Sequence, residues 1–380
     1  MKFPLLLVGS AILVFSLSSS RLRSTLVPST SLRATDFELR TPDSKLADTI
    51  HFPGEKHFAN VQQLTNGGDN AEAYFSFDGK YIIYQRTNPK LGIQCDQIWM
   101  GKVPAMGEEF KPWLVSTGTG RTTCSYFYPD GKHILYASTH LADVNCPPVP
   151  DRSKYGNKYI WAVYKGFDIF KADVDGKNIK RITKTDRYDA EATISPKGDK
   201  ILFTSLRNGD LDLYTMDLNG KHVRQITNTL GYDGGAWFSP DGTKIIWRAS
   251  RPKTDQEVKE YKDLLKENLV APVQMEVFIA NADGSNAKQI TDLGQANWAP
   301  NFTPDGKHVI FCSNHEYKHG FPFNMYICDL DGKNIEKISR DKGFDAFPMF
   351  SPDGKKIIFC SNRNNGGTHD TNIFIADWVE

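Results

Sequence analysis

The sequence predicts an all-β fold, a six-bladed β-propeller closed by an N-terminal strand that completes the last blade. Three observations predict it: a Pro-Asp-Gly-type turn recurring six times, a four-strand unit built around each turn, and an offset between where the units begin and where the chain ends.

The turns are Ser76-Phe77-Asp78-Gly79, Tyr128-Pro129-Asp130-Gly131, Ser195-Pro196-Lys197-Gly198, Ser239-Pro240-Asp241-Gly242, Thr303-Pro304-Asp305-Gly306 and Ser351-Pro352-Asp353-Gly354. Proline presets φ at the first corner, and glycine permits the positive φ at which the chain reverses. Each turn joins two β-type runs, as Ala236-Trp237-Phe238 joins Ile245-Ile246-Trp247, which makes a hairpin. A third run follows, as in Asp212-Leu213-Tyr214-Thr215-Met216-Asp217 or Asn372-Ile373-Phe374-Ile375-Ala376-Asp377. A fourth ends in an Ile-Thr-like pair: Ile182-Thr183, Ile226-Thr227, Ile290-Thr291, Ile338-Ser339. Four short strands per unit is the make-up of a propeller blade. The shortest spacing between turn glycines is 44 residues, close to the ~40–45 of a blade with minimal loops; longer spacings therefore carry insertions. Glu380 follows a third-type strand, and a spare fourth-type strand stands near Asn60-Val61-Gln62-Gln63-Leu64-Thr65. Pairing the two closes the ring and removes exposed sheet edges.

These repeats resemble the TolB-like (WD40-like) β-propeller family over roughly residues 57–380, through the Leu-Thr, Ser-Pro-Asp-Gly, Ile-x-Phe-x-Ser-x-Arg and Ile-Tyr-x-x-Asp patterns. The resemblance implies a periplasmic or extracellular propeller whose channel mouth binds a protein or ligand.

Met1-Lys2, the apolar run Pro4 to Leu17 and Ser18-Ser19-Ser20 read as a signal peptide over 1–20. Residues 21–56 read as a linker. After signal removal nothing is expected to span a membrane. The chain carries 46 basic against 45 acidic residues, net +1, so it has no electrostatic footprint for nucleic acid.

Antiparallel blades put the Pro-Asp-Gly turns on one face and the loops between second and third strands on the other. The long insertions are expected on that second face: Leu141 to Gly166 in blade 2, Pro252 to Met275 in blade 4 and His315 to Phe323 in blade 5. Thr254-Asp255-Gln256-Glu257 opens a helical segment in the blade 4 insertion. Insertions on one face of a rigid scaffold commonly form binding surfaces; the alternative is that they cap the core.

Aligning the repeats gives two polar rings. Asn70, Thr122, Asp189, Asp233, Asn297 and Asp345 precede the first strands; Asn88, His140, Arg207, Arg251, His315 and Arg363 follow the second. Asp occurs only where Arg occurs, which predicts intrablade ion pairs Asp189–Arg207, Asp233–Arg251 and Asp345–Arg363. Two positions further along come Glu72, Cys124, Glu191, Gly235, Ala299 and Phe347, expected to face the axis. Glu72 and Glu191 have no basic counterpart in this pattern, so either suits a divalent cation in the channel or a basic group of a partner; solvated channel residues are the alternative.

No G-x-S-x-G elbow or phosphate-binding loop occurs. The histidines of the insertion face, His140, His315, His319 and His369, leave a metal-dependent polysaccharide lyase as the alternative to a non-enzymatic binder. The binding reading assigns no catalytic residue and no required cofactor. It places Glu72, Glu191, His140, His315, His369 and Trp161 at the mouth, facing an envelope or extracellular protein or a small ligand, with carbohydrate a candidate because of Trp161, Tyr155 and Tyr159. Among Cys95, Cys124 and Cys146 one disulfide is expected, Cys124–Cys146; Cys312, Cys328 and Cys360 read as buried small hydrophobes.

Overall fold

The computed structural model describes residues 50–156, 158–318 and 322–380. The expected signal peptide, the expected linker up to residue 49 and His319 lie outside the described residues. Six antiparallel four-stranded sheets follow one another along the chain. Blade 1 is Asp69–Phe75, Tyr81–Asn88, Ile93–Lys102 and Trp113–Leu114; blade 2 is Thr122–Phe127, His133–Ser138, Asp168–Asp173 and Lys180–Arg181; blade 3 is Asp189–Ile194, Ile201–Ser205, Asp212–Met216 and Arg224–Gln225. Blade 4 is Asp233–Phe238, Lys244–Ser250, Met275–Asn281 and Lys288–Gln289; blade 5 is Asn297–Phe302, His308–Ser313, Asn324–Asp329 and Glu336–Lys337. Blade 6 takes Asp345–Phe350, Lys356–Ser361 and Asn372–Trp378 from the end of the chain and Phe58–Gln63 from its start. The closing pair is antiparallel, with Phe58 opposite Trp378 and Gln63 opposite Phe374.

Local chemistry fixes the hairpins. The Ser76 hydroxyl donates to Asp78 (2.7 Å) and accepts from the Tyr81 amide (3.0 Å), while Gly79 N–H closes on the Ser76 carbonyl (2.9 Å). The same hydroxyl–aspartate contact recurs at Ser239–Asp241, Thr303–Asp305 and Ser351–Asp353. Behind the turns, the second strands bury their apolar runs completely, as at Ile82-Ile83-Tyr84 and Ile357-Ile358-Phe359.

One repeated feature follows from no propensity. The innermost strand of every blade carries an irregularity, with register shifts at Ala71/Tyr74, Thr123/Ser125, Ala190/Thr193, Gly234/Trp237, Trp298/Asn301 and Ala346/Met349. Within each lies a residue at positive φ: Glu72 (52°), Cys124 (45°), Glu191 (55°), Gly235 (60°), Ala299 (44°) and Phe347 (55°). A bulge re-aims the side chain at which the ladder breaks. Here all six bulge residues line one small axial cavity of about 30 Å³.

Three expectations are corrected. The last part of the expected linker, 50–56, packs onto the propeller. Glu55 is 1% exposed, accepts the Arg340 and Phe52 amides and pairs with Arg363 (3.0 Å), so the predicted Asp345–Arg363 pair is a three-membered cluster. Blade 1 carries its extra residues, 103–112, between the third and fourth strands, where they fall on the turn face. The disulfide is Cys95–Cys146, with Cα atoms 5.8 Å apart, and Cys124 is a free thiol. The bulge explains this: it turns Cys124 toward the axis, whereas Cys95 enters the third strand of blade 1 on the insertion face, facing the blade 2 insertion.

Candidate functional site

The blade 2 insertion folds back over the axis. Its short strand Trp161–Ala162 pairs with Leu269–Val270 of the blade 4 insertion. The latter is anchored by the helix Asp255–Lys266, which begins in a complete capping box between Thr254 and Glu257. The Cys95–Cys146 bond ties the front of the blade 2 insertion to blade 1. Between this roof and the bulge ring lies a cavity of about 910 Å³. Glu72, Cys124, Glu191 and Arg248 line its floor; Tyr159, Trp161 and Tyr164 line it from the insertion. A second cavity of about 670 Å³, beside blades 4 and 5, shares the Tyr159 and Trp298 walls. Trp161 and Trp298 rings meet at 5.3 Å, and Trp298 stacks on Phe323 at 4.7 Å.

On the floor the two axial glutamates differ. Glu191 is 7% exposed and saturated. Tyr232 donates to both of its oxygens at 2.8 Å, Tyr188 donates at 3.0 Å, the Gly235 amide at 2.6 Å and Arg248 at 3.1 Å. The expectation that Glu191 lacks a basic partner is therefore corrected. Arg248 comes from the second strand of blade 4 and reaches the axis because Gly235 has no side chain: a Cβ there would sit 2.0 Å from Arg248 Nη1. The Arg248 guanidinium also lies 5.4 Å from the Trp161 ring and 5.5 Å from that of Tyr232, a cation–π arrangement. Burial drives the Tyr188 and Tyr232 hydroxyls well above their ordinary range, so they remain donors.

Glu72 takes part in no ion pair among the described residues. Burial raises its pKa from 4.5 to about 7, opposed by a hydrogen bond with the Cys124 thiol and by the charge of Arg248, and reinforced by Glu191 and Asp96. Burial and the two glutamates push the Cys124 thiol well up, which keeps it protonated.

The other expected site residues divide. Trp161 and His369 line the large cavity. His140 and His315 do not. Each turns its ring to the serine two residues earlier, His140 Nδ1 to Ser138 (2.8 Å) and His315 Nδ1 to Ser313 (2.9 Å), and packs on Phe170 and Tyr326 respectively. They occupy the position at which Arg207 and Arg363 place Nε on Ser205 and Ser361. Partial burial lowers both imidazole pKa values, so they are neutral packing groups. The three Asp–Arg contacts are close: Asp189–Arg207 3.1 Å, Asp233–Arg251 2.6 Å and Asp345–Arg363 2.9 Å. The neutral ring members turn instead to the preceding blade, Thr122 to the Asp96 carbonyl and Asn297 to the Met275 carbonyl. Among the described residues no three His, Cys, Asp or Glu side chains gather as a metal ion requires.

Sequence reasoning missed Arg248, Tyr188, Tyr232, the Asp96–Arg121 pair (2.7 Å) and the H-E-x-x-H spacing that begins at His315, whose described residues 315–318 form a turn and not the helix that would put both histidines on one face. A signal for Arg248 was present: it is the one charged residue at a repeat position otherwise held by Gln85, Ala137, Thr204, Cys312 and Cys360.

Closed sheets, a bulge ring and a roofed axial mouth define a β-propeller with its cavity at the axis. The TolB β-propeller domain model matches residues 150–262 and 270–374, more than half of the chain, and the protein belongs to that family. Among solved structures it is similar to a putative TolB from Agrobacterium tumefaciens (19% identity, 82% of this chain and 91% of that one, TM-score 0.54). It is also similar to TolB from Acinetobacter baumannii (18%, 80% and 64%, TM-score 0.54) and to an oligogalacturonate lyase from Vibrio parahaemolyticus (14%, 83% and 79%, TM-score 0.50). At these identities the likeness concerns the fold. No curated protein matches the chain. No helix among the described residues is long and apolar enough to cross a membrane.

Proposed function

We propose that this protein is an exported, non-catalytic binding propeller that holds a small ligand or a short segment of a partner between the blade 2 insertion and the axial bulge ring. The observation that carries the reading is the cavity of about 910 Å³, roofed by Trp161 and floored by Glu72 and the Glu191–Arg248 pair. Its volume suits a small molecule or a few residues of extended chain. An aromatic wall with a few fixed polar groups is a recognition surface. Glu191 is saturated, Cys124 is protonated, and His140 and His315 turn to Ser138 and Ser313, which leaves Glu72 as the floor group that meets a ligand.

The test is to titrate wild-type protein and W161A with short peptides and with oligosaccharides, following tryptophan fluorescence and hydrogen exchange over 159–164. Binding that protects this segment and falls at least about tenfold in W161A supports the reading. Cleavage of oligogalacturonides on addition of a divalent metal would replace it with the lyase reading.

A further inference from the structure

The funnel contains its own template for recognising a cation. Arg248 lies between the Glu191 carboxylate (3.1 Å) and the faces of Trp161 and Tyr232. Arg363 repeats the mode between Glu55, Asp345 and the Phe52 and Phe359 rings. Two blades from blade 3, Glu72 of blade 1 supplies the same carboxylate from the same bulge, and Phe347 lines the cavity with it. No guanidinium pairs with it among the described residues: the next blade, blade 2, has Ala137 where blade 4 sends Arg248 back to blade 3, and Gln85 of blade 1 accepts from the Cys124 amide (3.2 Å).

The surrounding charge points the same way. Of the acidic residues lining the cavity, Asp96 is paired with Arg121 and Glu191 with Arg248, while Asp69 and Glu72 on the blade 1 side take part in no ion pair among the described residues; Arg152, on the insertion side, lies over the Tyr159 ring. An inorganic divalent ion suits this place poorly, because among the described residues Glu72 gathers with no two further His, Cys, Asp or Glu side chains at metal-binding spacing, and Arg248 stands close by. An ammonium or guanidinium needs one carboxylate and aromatic faces.

Resting on the proposed binding role of this cavity, we infer that Glu72 is the anchor for an organic cation, an amine or guanidinium borne on an apolar body, either as a free small molecule or as a lysine or arginine side chain of a partner. The charged head sits on Glu72 and the body lies against the Phe347 and Trp161 walls, as Arg248 sits on Glu191.

Calorimetric titration near pH 8 with benzylamine and N-acetyl-arginine amide, against the neutral isostere benzyl alcohol, tests it. The cations are expected to bind about tenfold or more tighter than the alcohol, and E72Q to remove that difference. A blocked Gly-Arg-Gly peptide separates the two sources: tighter binding than N-acetyl-arginine amide assigns a partner side chain, weaker binding a small molecule. In wild-type protein, affinity should rise from pH 6 to pH 8 as Glu72 ionises near 7. The groups facing it are Cys124, Tyr74, Arg248, Glu191 and Asp96, with Asp69 and His369 further out; H369Q should keep the pH dependence. Equal binding of amine and alcohol, or no amine binding at millimolar concentration, overturns the inference. If alcohol and amine bind equally but W161A loses both, the cavity reading stands while the cation reading falls. Calcium or manganese displacing benzylamine through Glu72 would also overturn it.

Discussion

Blades 1 and 3 place a glutamate at the same bulge, with φ of 52° and 55°, and treat it in opposite ways. Glu191 is surrounded by two tyrosine hydroxyls, a backbone amide and an arginine; Glu72 has a thiol and distant charge. The backbone makes the two positions equivalent, so the difference lies in what neighbouring blades send to the axis. Blade 4 sends Arg248 over a glycine toward Glu191, and nothing equivalent reaches Glu72. A repeated scaffold thus makes one carboxylate structural and leaves the other available.

That contrast can be broken by mutation. The largest effect is expected from R248M, which leaves Glu191 buried without its counter-charge and should cost about 3–5 kcal/mol in urea unfolding. A loss below about 1 kcal/mol would mean that the tyrosines alone suffice.

E72Q should act in the opposite direction. The folded-state pKa of Glu72 is raised from 4.5 to about 7, so its ionisation opposes folding once the unfolded chain has ionised. Wild type then pays no penalty below about pH 4, loses stability as pH rises through that window, and carries the full penalty above about 7. E72Q should therefore be more stable than wild type by about 1–3 kcal/mol near pH 8 and equal to it near pH 4. A difference that does not vary with pH would place Glu72 in ordinary solvation.

G235A sharpens the comparison. Five other blades carry a side chain at this positive φ, so the backbone does not demand glycine; the space for Arg248 does. We expect a loss of about 1–2 kcal/mol, rescued in part when combined with R248M. Additive costs in a double-mutant cycle would contradict that coupling. The smallest effect is expected from Y188F, which removes one of several donors to Glu191 and should cost about 1 kcal/mol in the same unfolding measurement.

The sequence showed the architecture because each blade restates it: six turns, six hairpins and one displaced strand leave few other closures. The axial ring was legible by alignment, although the bulge that aims it was not, since residues as different as Glu, Cys, Ala and Phe adopt it. What alignment hides is traffic between blades. Arg248 belongs to one repeat and serves another, and Cys95 bonds to the insertion of the next blade. His140 and His315 were misread for the converse reason: they replace arginines against the same serine, a packing role that resembles a site only when residue type is read without its repeat position.

The closing strand leaves both described ends at one corner of blade 6. Phe58 faces Trp378, His57 stacks on Trp378 at 4.8 Å, and Val379 N–H donates to the His57 carbonyl. Tension applied between the termini would therefore peel this ladder open one rung at a time rather than shear it. The Glu55–Arg363 clasp, fastened just outside the first rung, is the catch that must release before the circle can be pulled apart.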